Sequence, residues 1–92
     1  MIQRFNHDGL EIFFTTGSKA GIRPEQARRL RFVLARLHAA RQPSDMALPG
    51  LRLHPLQGAR KGYWAVDVGG NWRIIFRFDG QDVVDVDYLD YH

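Results

Sequence analysis

The spacing of apolar residues divides this chain into a helical first half and a second half rich in strands. The pattern at residues 2–5 predicts a short strand, and that at residues 9–16 predicts a short helix. Between positions 24 and 41, apolar residues recur at intervals of three and four, which predicts a second helix with one buried face. That face is formed by Ala27, Leu30, Leu34 and Leu37, with Val33 and Ala40 beside it. Pro24 suits the first turn of this helix, because the N–H that proline lacks has no intrahelical partner there.

The second half alternates apolar and polar residues, which is the period of a β-strand whose side chains point to opposite faces. The predicted strands are residues 51–54, 63–68, 72–78 and 83–88. Proline at position 55 ends the first strand, and Gly69-Gly70-Asn71 and Asp79-Gly80 are hairpin signals between the later ones. The sequence therefore predicts an α+β fold in which an N-terminal strand and two helices pack on a mainly antiparallel sheet. We expect residues 1–92 to form a single domain, since no segment has the composition of a linker.

Composition excludes several classes of site. The chain has no cysteine, so a disulfide framework and a thiolate zinc site are excluded. The absence of cysteine also fits a reducing cytoplasm, where we predict that the protein is found. The chain lacks an apolar run of about 18 residues, so we expect no membrane-spanning helix. The four histidines are widely spaced, and neither a glycine-rich phosphate loop nor a serine-nucleophile motif is present. We therefore expect no metal and no cofactor, and any catalysis would use side chains alone.

The distribution of basic residues is more informative than the formal net charge of +3. Most of them are arginines, and they fall into two clusters. The first contains Arg23, Arg28, Arg29, Arg31, Arg36 and Arg41, and the second contains Arg52, Arg60, Lys61, Arg73 and Arg77. A sequence pI near 9.8 with clustered arginines favours a polyanionic partner such as nucleic acid. A solvated helix face, or a surface that binds an acidic protein, would use the same residues.

The chain ends in a carboxylate, a phenol and an imidazole, at Asp90, Tyr91 and His92. An imidazole titrates near neutral pH, so His92 is a candidate general acid or base. The preceding strand would hold this triplet against the body of the domain. The alternative is that Tyr91 covers an edge of the core and His92 is solvated.

Arg73 is a second candidate, because it lies in the central strand of the predicted meander. Alternation places it on the face opposite the aromatic side chains of that strand. A guanidinium fixed there could hold a phosphate and stabilise negative charge as it develops. The alternative role is a cross-strand ion pair with Asp85 or Asp87.

His54 is the third candidate, at the end of a predicted strand. It leads into a basic loop that carries Arg60 and Lys61 and is flanked by glycines at 58 and 62, so the loop could approach a phosphate backbone. Arg77 shares the strand face of Arg73 and could add to the same basic surface. The alternative is that His54 is structural or merely exposed.

Several short motifs are distributed along nearly the whole chain. They are Phe5-x-His7-x-Gly9-Leu10, Leu53-His54-Pro55-Leu56, Gly58, Gly62-Tyr63-Trp64, Asn71-Trp72-Arg73-Ile74, Phe76 and Tyr88-x-Asp90-Tyr91-His92. Together they resemble the HigB family of toxins, within the RelE-like superfamily of bacterial toxin–antitoxin systems. The resemblance is weakest at residues 17–49, where only length and helical character match.

This resemblance implies a microbial-RNase-like α+β fold and a toxin that cleaves mRNA on the ribosome at A-site codons. The catalytic residues it implies are His54, Arg73, Asp90, Tyr91 and His92. The residues we expect to contact RNA are Arg60, Lys61 and Arg77. Some family members have lysine where this chain has Gln57, so a cationic role there would pass to the basic loop or be lost.

The resemblance also implies partners. They are a HigA-like helix-turn-helix antitoxin, the 70S ribosome and its mRNA, with operator DNA bound only through the antitoxin. Metal-free RNA cleavage needs a base for the 2′-hydroxyl, an acid for the departing 5′-oxygen and a cation for the phosphorane. His54 and His92 are the acid and base candidates, and the sequence leaves their order open. The alternative functions are a non-catalytic basic module that binds RNA or ribosomes, and a structural subunit that docks an acidic protein.

Overall fold

A computed structural model describes residues 1–91 and shows two α-helices followed by a four-stranded sheet. The helices are α1 (Asp8–Thr16) and α2 (Ala27–Ala39). The strands are β1 (His54–Pro55), β2 (Trp64–Gly69), β3 (Trp72–Asp79) and β4 (Asp82–Asp90). The helices precede the sheet in the chain and pack on one of its faces, as the predicted α+β fold requires.

Local sequence sets the ends of both helices. At the start of α1, the backbone N–H of Leu10 donates to Nδ1 of His7 over 2.9 Å, which satisfies one of the unpaired first-turn amides. Gly17 ends that helix in the left-handed conformation, with φ of 83°. The predicted second helix was too long at both ends. Its first turn, Pro24–Gln26, is a 3₁₀ helix, and Ala40 is already extended.

The sheet is antiparallel in the order β1-β2-β3-β4, which confirms the predicted meander. Its inner face packs on the apolar face of α2. The fully buried side chains there include Leu30, Leu34, Leu37, Val66, Ile74 and Phe76. The core therefore lies between the helices and β2–β4, and the opposite sheet face is available for polar groups.

Two predicted strands differ in the structure. The predicted strand at residues 51–54 is displaced, because Arg52 has a left-handed φ of 54° and cannot continue an extended chain. Pairing instead begins at His54 and runs through Pro55, which lies opposite Trp64. A proline is tolerated there because β1 is an edge strand, where one missing N–H leaves no acceptor unpaired.

The N-terminal segment makes two isolated parallel bridges to β4 instead of a regular strand, at Ile2 and Phe5. Asp85 in β4 has φ of 54°, and the register of β4 against β3 shifts at this point. These two features define a β-bulge at Asp85. The extra residue interrupts the ladder with β3 and reverses the faces to which the side chains of β4 point. Val83 and Val86 consequently both reach the core.

No helix formed by residues 1–91 is long and apolar enough to cross a lipid bilayer.

Candidate active site

The sheet face that points away from the helices carries most of the polar candidates. Val66, Ile74 and Phe76 belong to the core on the helical side. Their neighbours along each strand point the other way, and residues paired in register share a face. This face, called the outer face below, carries His54, Ala65, Asp67, Arg73, Ile75, Arg77 and Asp87. The predicted position of Arg73 and Arg77 opposite the core is confirmed.

Arg73 is held on the outer face by contacts on two sides. Its Nε lies 2.8 Å from Oδ1 of Asp67, the residue directly opposite on β2. Its Nη1 donates to the carbonyl oxygens of Gly70 and Trp72, each over 3.1 Å. The side chains of Arg73 and Asp67 are only 19% and 16% exposed. The cross-strand ion pair considered for Arg73 exists, but the expected partners Asp85 and Asp87 were wrong.

His54 lies on the same face, two strands away from Arg73. Its ring Nδ1 is 2.8 Å from the carbonyl oxygen of Arg52. A carbonyl oxygen has no proton to give, so this contact assigns the proton to Nδ1 and leaves Nε2 as the basic nitrogen of the neutral ring. Strand spacing places the Cα atoms of His54 and Arg73 about 12 Å apart along the diagonal of the sheet. Both side chains can therefore reach one extended substrate group.

Arg77 is also paired on the outer face. Its Nε and Nη2 both lie 2.7 Å from Oδ2 of Asp85, whose Oδ1 accepts from Nε of Arg4 over 2.6 Å. These arginines lower the pKa of the Asp85 carboxyl group, chiefly through the hydrogen bond from Arg4. One carboxylate thus holds two guanidinium groups, and the triplet keeps a formal charge of +1. The role of Arg77 in RNA binding stays a prediction.

Asp67 forms a second triplet of the same kind. In addition to Arg73, it faces Nε of Arg52 at 3.7 Å. The Arg52 side chain is 80% exposed, so that contact is loose. In both triplets one aspartate is shared between two arginines, so each triplet keeps a formal charge of +1.

The C-terminal residues contact the basic loop. The N–H of Tyr91 donates to the carbonyl oxygen of Asn71 over 2.7 Å, which extends the pairing beyond β4. Nη1 of Arg60 donates to the Tyr91 hydroxyl over 3.2 Å, and its guanidinium carbon lies 5.9 Å from the centre of the ring. Asp90 is exposed at the end of β4, opposite Trp72. The prediction for His92 lies outside the described residues.

Arg60 and Tyr91 border an open cleft of about 460 Å³ that is also lined by Leu56, Gln57 and Ala59. Gln57 occupies the position where some relatives have lysine, and Arg60 supplies a cation in the same cleft. Lys61 is exposed beside it. The structure therefore brings together Arg60 and Tyr91 in one group, and Arg73 and Asp67 in another.

The remaining histidines contribute to the fold. His7 caps α1, and Nδ1 of His38 accepts the backbone N–H of Ile2 over 3.2 Å. Among the described histidines, His54 is the one that lies on the outer face. Asp67 belongs to this site but was not among the residues predicted from the sequence. Its position before the Gly69-Gly70-Asn71 hairpin, on the same alternation as Arg73, was the available signal.

The similarity to known proteins extends over the whole chain. Residues 3–92 match the family model described as the RelE-like toxin of type II toxin–antitoxin system HigB. The chain belongs to this HigB-like toxin family. It is also 36% identical over 92 residues to the endoribonuclease HigB of Proteus vulgaris, and the match covers all of both chains. These comparisons confirm the predicted family, and the arrangement of helices and sheet agrees with its RelE-like fold.

Membership of the HigB-like family places the protein in a type II toxin–antitoxin system, so an antitoxin is its partner. Every candidate residue of the outer face and of the C-terminal triplet lies within the matched range. The roles of the individual residues stay predictions, because the comparisons concern the chain as a whole.

Proposed function

We propose that this HigB-like toxin is an endoribonuclease that cleaves mRNA in the ribosomal A site, with the outer face as its catalytic surface. The relative from Proteus vulgaris, which matches over the full length, is named an endoribonuclease, and this name supports the proposed activity. The observation that carries the residue assignment is the immobilised guanidinium of Arg73. It is fixed on a central strand of the sheet and shares its face with His54, the one described histidine on that face.

The proposed reaction uses the 2′-hydroxyl of the RNA as nucleophile. His54 accepts its proton at Nε2, because its Nδ1 already carries a proton that is held by the carbonyl of Arg52. The 2′-oxygen then forms a bond to phosphorus, and Arg73 stabilises the additional negative charge of the phosphorane. Cleavage of the bond from phosphorus to the 5′-oxygen leaves a 2′,3′-cyclic phosphate and a 5′-hydroxyl.

The departing 5′-oxygen needs a proton, and the C-terminal triplet is the proposed source. His92 is the candidate acid, while Asp90 orients the leaving group or an imidazole. Tyr91 stacks on a base, since its ring lies beside the cleft with Arg60 above it. Arg60 supplies the cation that Gln57 lacks, and Lys61 and Arg77 extend the basic surface along the backbone of the RNA.

Dependence on the ribosome follows from the small size of this surface. The described outer face has charged groups but no row of exposed aromatic residues that could hold single-stranded RNA. Binding of free RNA should therefore be mainly electrostatic and strongly weakened by salt. The ribosomal A site would hold the codon and so supply the orientation of the RNA, which can contribute a large part of a rate enhancement.

The proposed partner is a HigA-like antitoxin with a helix-turn-helix domain, which binds operator DNA on behalf of the complex. The docking surface proposed for the antitoxin is the solvent side of α2, where Arg28 and Arg29 lie beside Phe32 and Arg36 is exposed one turn further along. Phe32 is 52% exposed, which is unusual for a large aromatic residue on a surface helix. This surface lies behind the sheet, so the outer face would stay accessible in the complex.

The test is a time course with one labelled mRNA, with and without programmed 70S ribosomes. We expect rapid cleavage only with ribosomes, a 2′,3′-cyclic phosphate end, and no cleavage when the scissile nucleotide carries 2′-deoxyribose. His54→Ala and Arg73→Ala should each remove most activity. Arg28→Ala is the matched control, because it also removes one arginine but from α2. Equal rates without ribosomes would exclude ribosome dependence, and ribosome binding without new RNA ends would favour the non-catalytic module.

A further inference from the structure

The carboxylate of Asp67 contacts the proposed phosphate-binding arginine. It faces Arg73 directly across β2 and β3, and its Oδ1 lies 2.8 Å from Nε. Both side chains are more than four-fifths buried, so solvent does not offer the guanidinium an equivalent partner on that side. Both residues lie on paired strands of the sheet, directly before the register shift between Asp67 and Gly69, and this pairing limits how far they can separate.

The other contacts of Arg73 complete a fixed orientation. Nη1 is held by the carbonyl oxygens of Gly70 and Trp72, at the hairpin that joins the same two strands. Asp67 therefore holds the guanidinium on the Nε side while the hairpin holds it at Nη1. These contacts use Nε and Nη1, and the proposed scheme assigns Nη2 to a phosphate oxygen.

We propose that Asp67 is a positioning residue, which acts on catalysis by fixing the guanidinium plane of Arg73. This inference rests on the proposed function, in which Arg73 stabilises the phosphorane. Asp67 itself does not touch the substrate in this scheme. Oδ2 of Asp67 also lies 3.7 Å from Nε of Arg52, so Arg52, Arg73 and Asp67 together keep a net positive charge toward the RNA.

Two effects of the carboxylate oppose each other, and they predict opposite outcomes. If Asp67 merely neutralised Arg73, its removal would strengthen phosphate binding and raise activity. If it orients Arg73, its removal would lower activity, because a misplacement of about 1 Å can cost about 10²-fold in rate. Orientation should dominate, since the guanidinium must match the directions of the equatorial oxygens of the phosphorane.

The experiment compares Asp67→Ala, Asp67→Asn, Arg73→Ala and the Asp67→Ala/Arg73→Ala double variant in the ribosomal cleavage assay. We expect Asp67→Ala to lower kcat by about 10²-fold with little change in KM. Asp67→Asn should lose less, about 10-fold, because its amide oxygen can still face Nε but carries no charge. Asp82→Asn is the matched control, since it removes the charge of a β4 carboxylate that lies 3.3 Å from the N-terminal ammonium group and does not contact Arg73 among the described contacts.

The double variant separates positioning from a general structural role. Asp67→Ala should add no further loss once Arg73 is absent, because the residue acts through that arginine. A full additional loss at unchanged thermal stability would overturn the proposal. Higher activity of Asp67→Ala than of wild type would also overturn it, in favour of simple neutralisation.

A second measurement does not require cleavage. In ¹H–¹⁵N spectra, the Nε–H signal of Arg73, assigned by its loss in Arg73→Ala, should shift and broaden in Asp67→Asn. The same signal should be unchanged in Asp82→Asn. An unaltered signal in Asp67→Asn overturns the positioning role even if the protein cleaves RNA. If the signal shifts in Asp67→Asn but the wild-type protein does not cleave RNA, the positioning role is supported and the proposed function is refuted.

Discussion

The contact between Tyr88 and Gln26 gives the sharpest prediction about the fold that supports the site. The hydroxyl of Tyr88 donates to Oε1 of Gln26, and Nε2 of Gln26 donates to the carbonyl of Gly69 over 3.4 Å. Tyr88 is 3% exposed and Gln26 is 9% exposed. One buried amide therefore joins the start of α2 to β4 and to the hairpin that holds Arg73.

Tyr88→Phe removes only the hydroxyl and leaves Oε1 of Gln26 buried without its donor. A buried acceptor left unpaired costs about 1–3 kcal/mol, so we expect a loss near 2 kcal/mol in the free energy of unfolding. For a domain of this length, each kcal/mol lowers Tm by about 4–8 °C, which gives a drop of about 8–16 °C. Gln26→Leu should cost a similar amount, because it removes the acceptor of the Tyr88 hydroxyl and the donor to the Gly69 carbonyl.

Urea denaturation of the two single variants and the double variant provides the assay. The double variant should lose clearly less than the sum of the single losses, because each single change leaves behind a polar group that the double change removes. Strictly additive losses, or a Tyr88→Phe variant as stable as wild type, would refute this reasoning. It would then follow that the two groups find other partners.

The pH dependence of the same variants is an independent check. Burial raises the pKa of the Tyr88 phenol above its ordinary value of 10.0. Because the pKa is higher in the folded state than in the unfolded state, the neutral phenol stabilises the fold below pH 10. This stabilisation is lost as the pH rises through the folded-state pKa. Wild type should therefore lose stability in this alkaline range, and Tyr88→Phe should lose less.

Three further predictions concern the surface groups. Asp85→Asn should destabilise the protein at neutral pH but not in acid, as urea titrations at several pH values would measure. Folding lowers the pKa of Asp85, so the stability that this carboxylate contributes is present above its ordinary pKa of 3.8. That stability is lost as the pH falls through the lower folded-state pKa. Removal of His92 should abolish growth inhibition at equal expression with an unchanged Tm, and full toxicity of the shortened chain would exclude a catalytic imidazole there. Phe32→Asp should weaken antitoxin binding at least tenfold in calorimetry while ribosomal cleavage is unchanged, and unaltered affinity would place the antitoxin elsewhere.

Periodicity predicted most of this fold because the buried strands and α2 each present one continuous apolar face. It failed where single residues adopt a left-handed backbone. The φ values of 54° at Arg52 and Asp85 displaced β1 and reversed the alternation of β4. Neither residue is glycine, so a bulge or a break at these positions was not predictable from residue type.

The candidate site was predictable in composition but not in its pairing. Alternation placed Arg73 and Arg77 on the correct face, and the resemblance to relatives supplied His54 and the C-terminal triplet. The partner of Arg73 depends on the register between β2 and β3. That register shifts between Asp67 and Gly69, so the turn at Gly70-Asn71 does not determine it alone. The proton on Nδ1 of His54 depends on the turn at Arg52, which only the three-dimensional structure reveals.

The bridges between the N-terminal segment and β4 have a consequence for how other chains can join this protein. The backbone groups of Val83 and Val86 are already bonded to residues 1–6, with donor–acceptor distances of 2.7–3.2 Å. Further along β4, Asp87 and Asp90 disfavour pairing with a neighbouring strand, and on the opposite side β1 is two residues long and contains proline. A chain that extends this sheet must first displace the N-terminus, so self-association through cross-β contacts is disfavoured in the folded toxin. Recognition by a second protein is directed instead to the side chains of the helices and of the outer face.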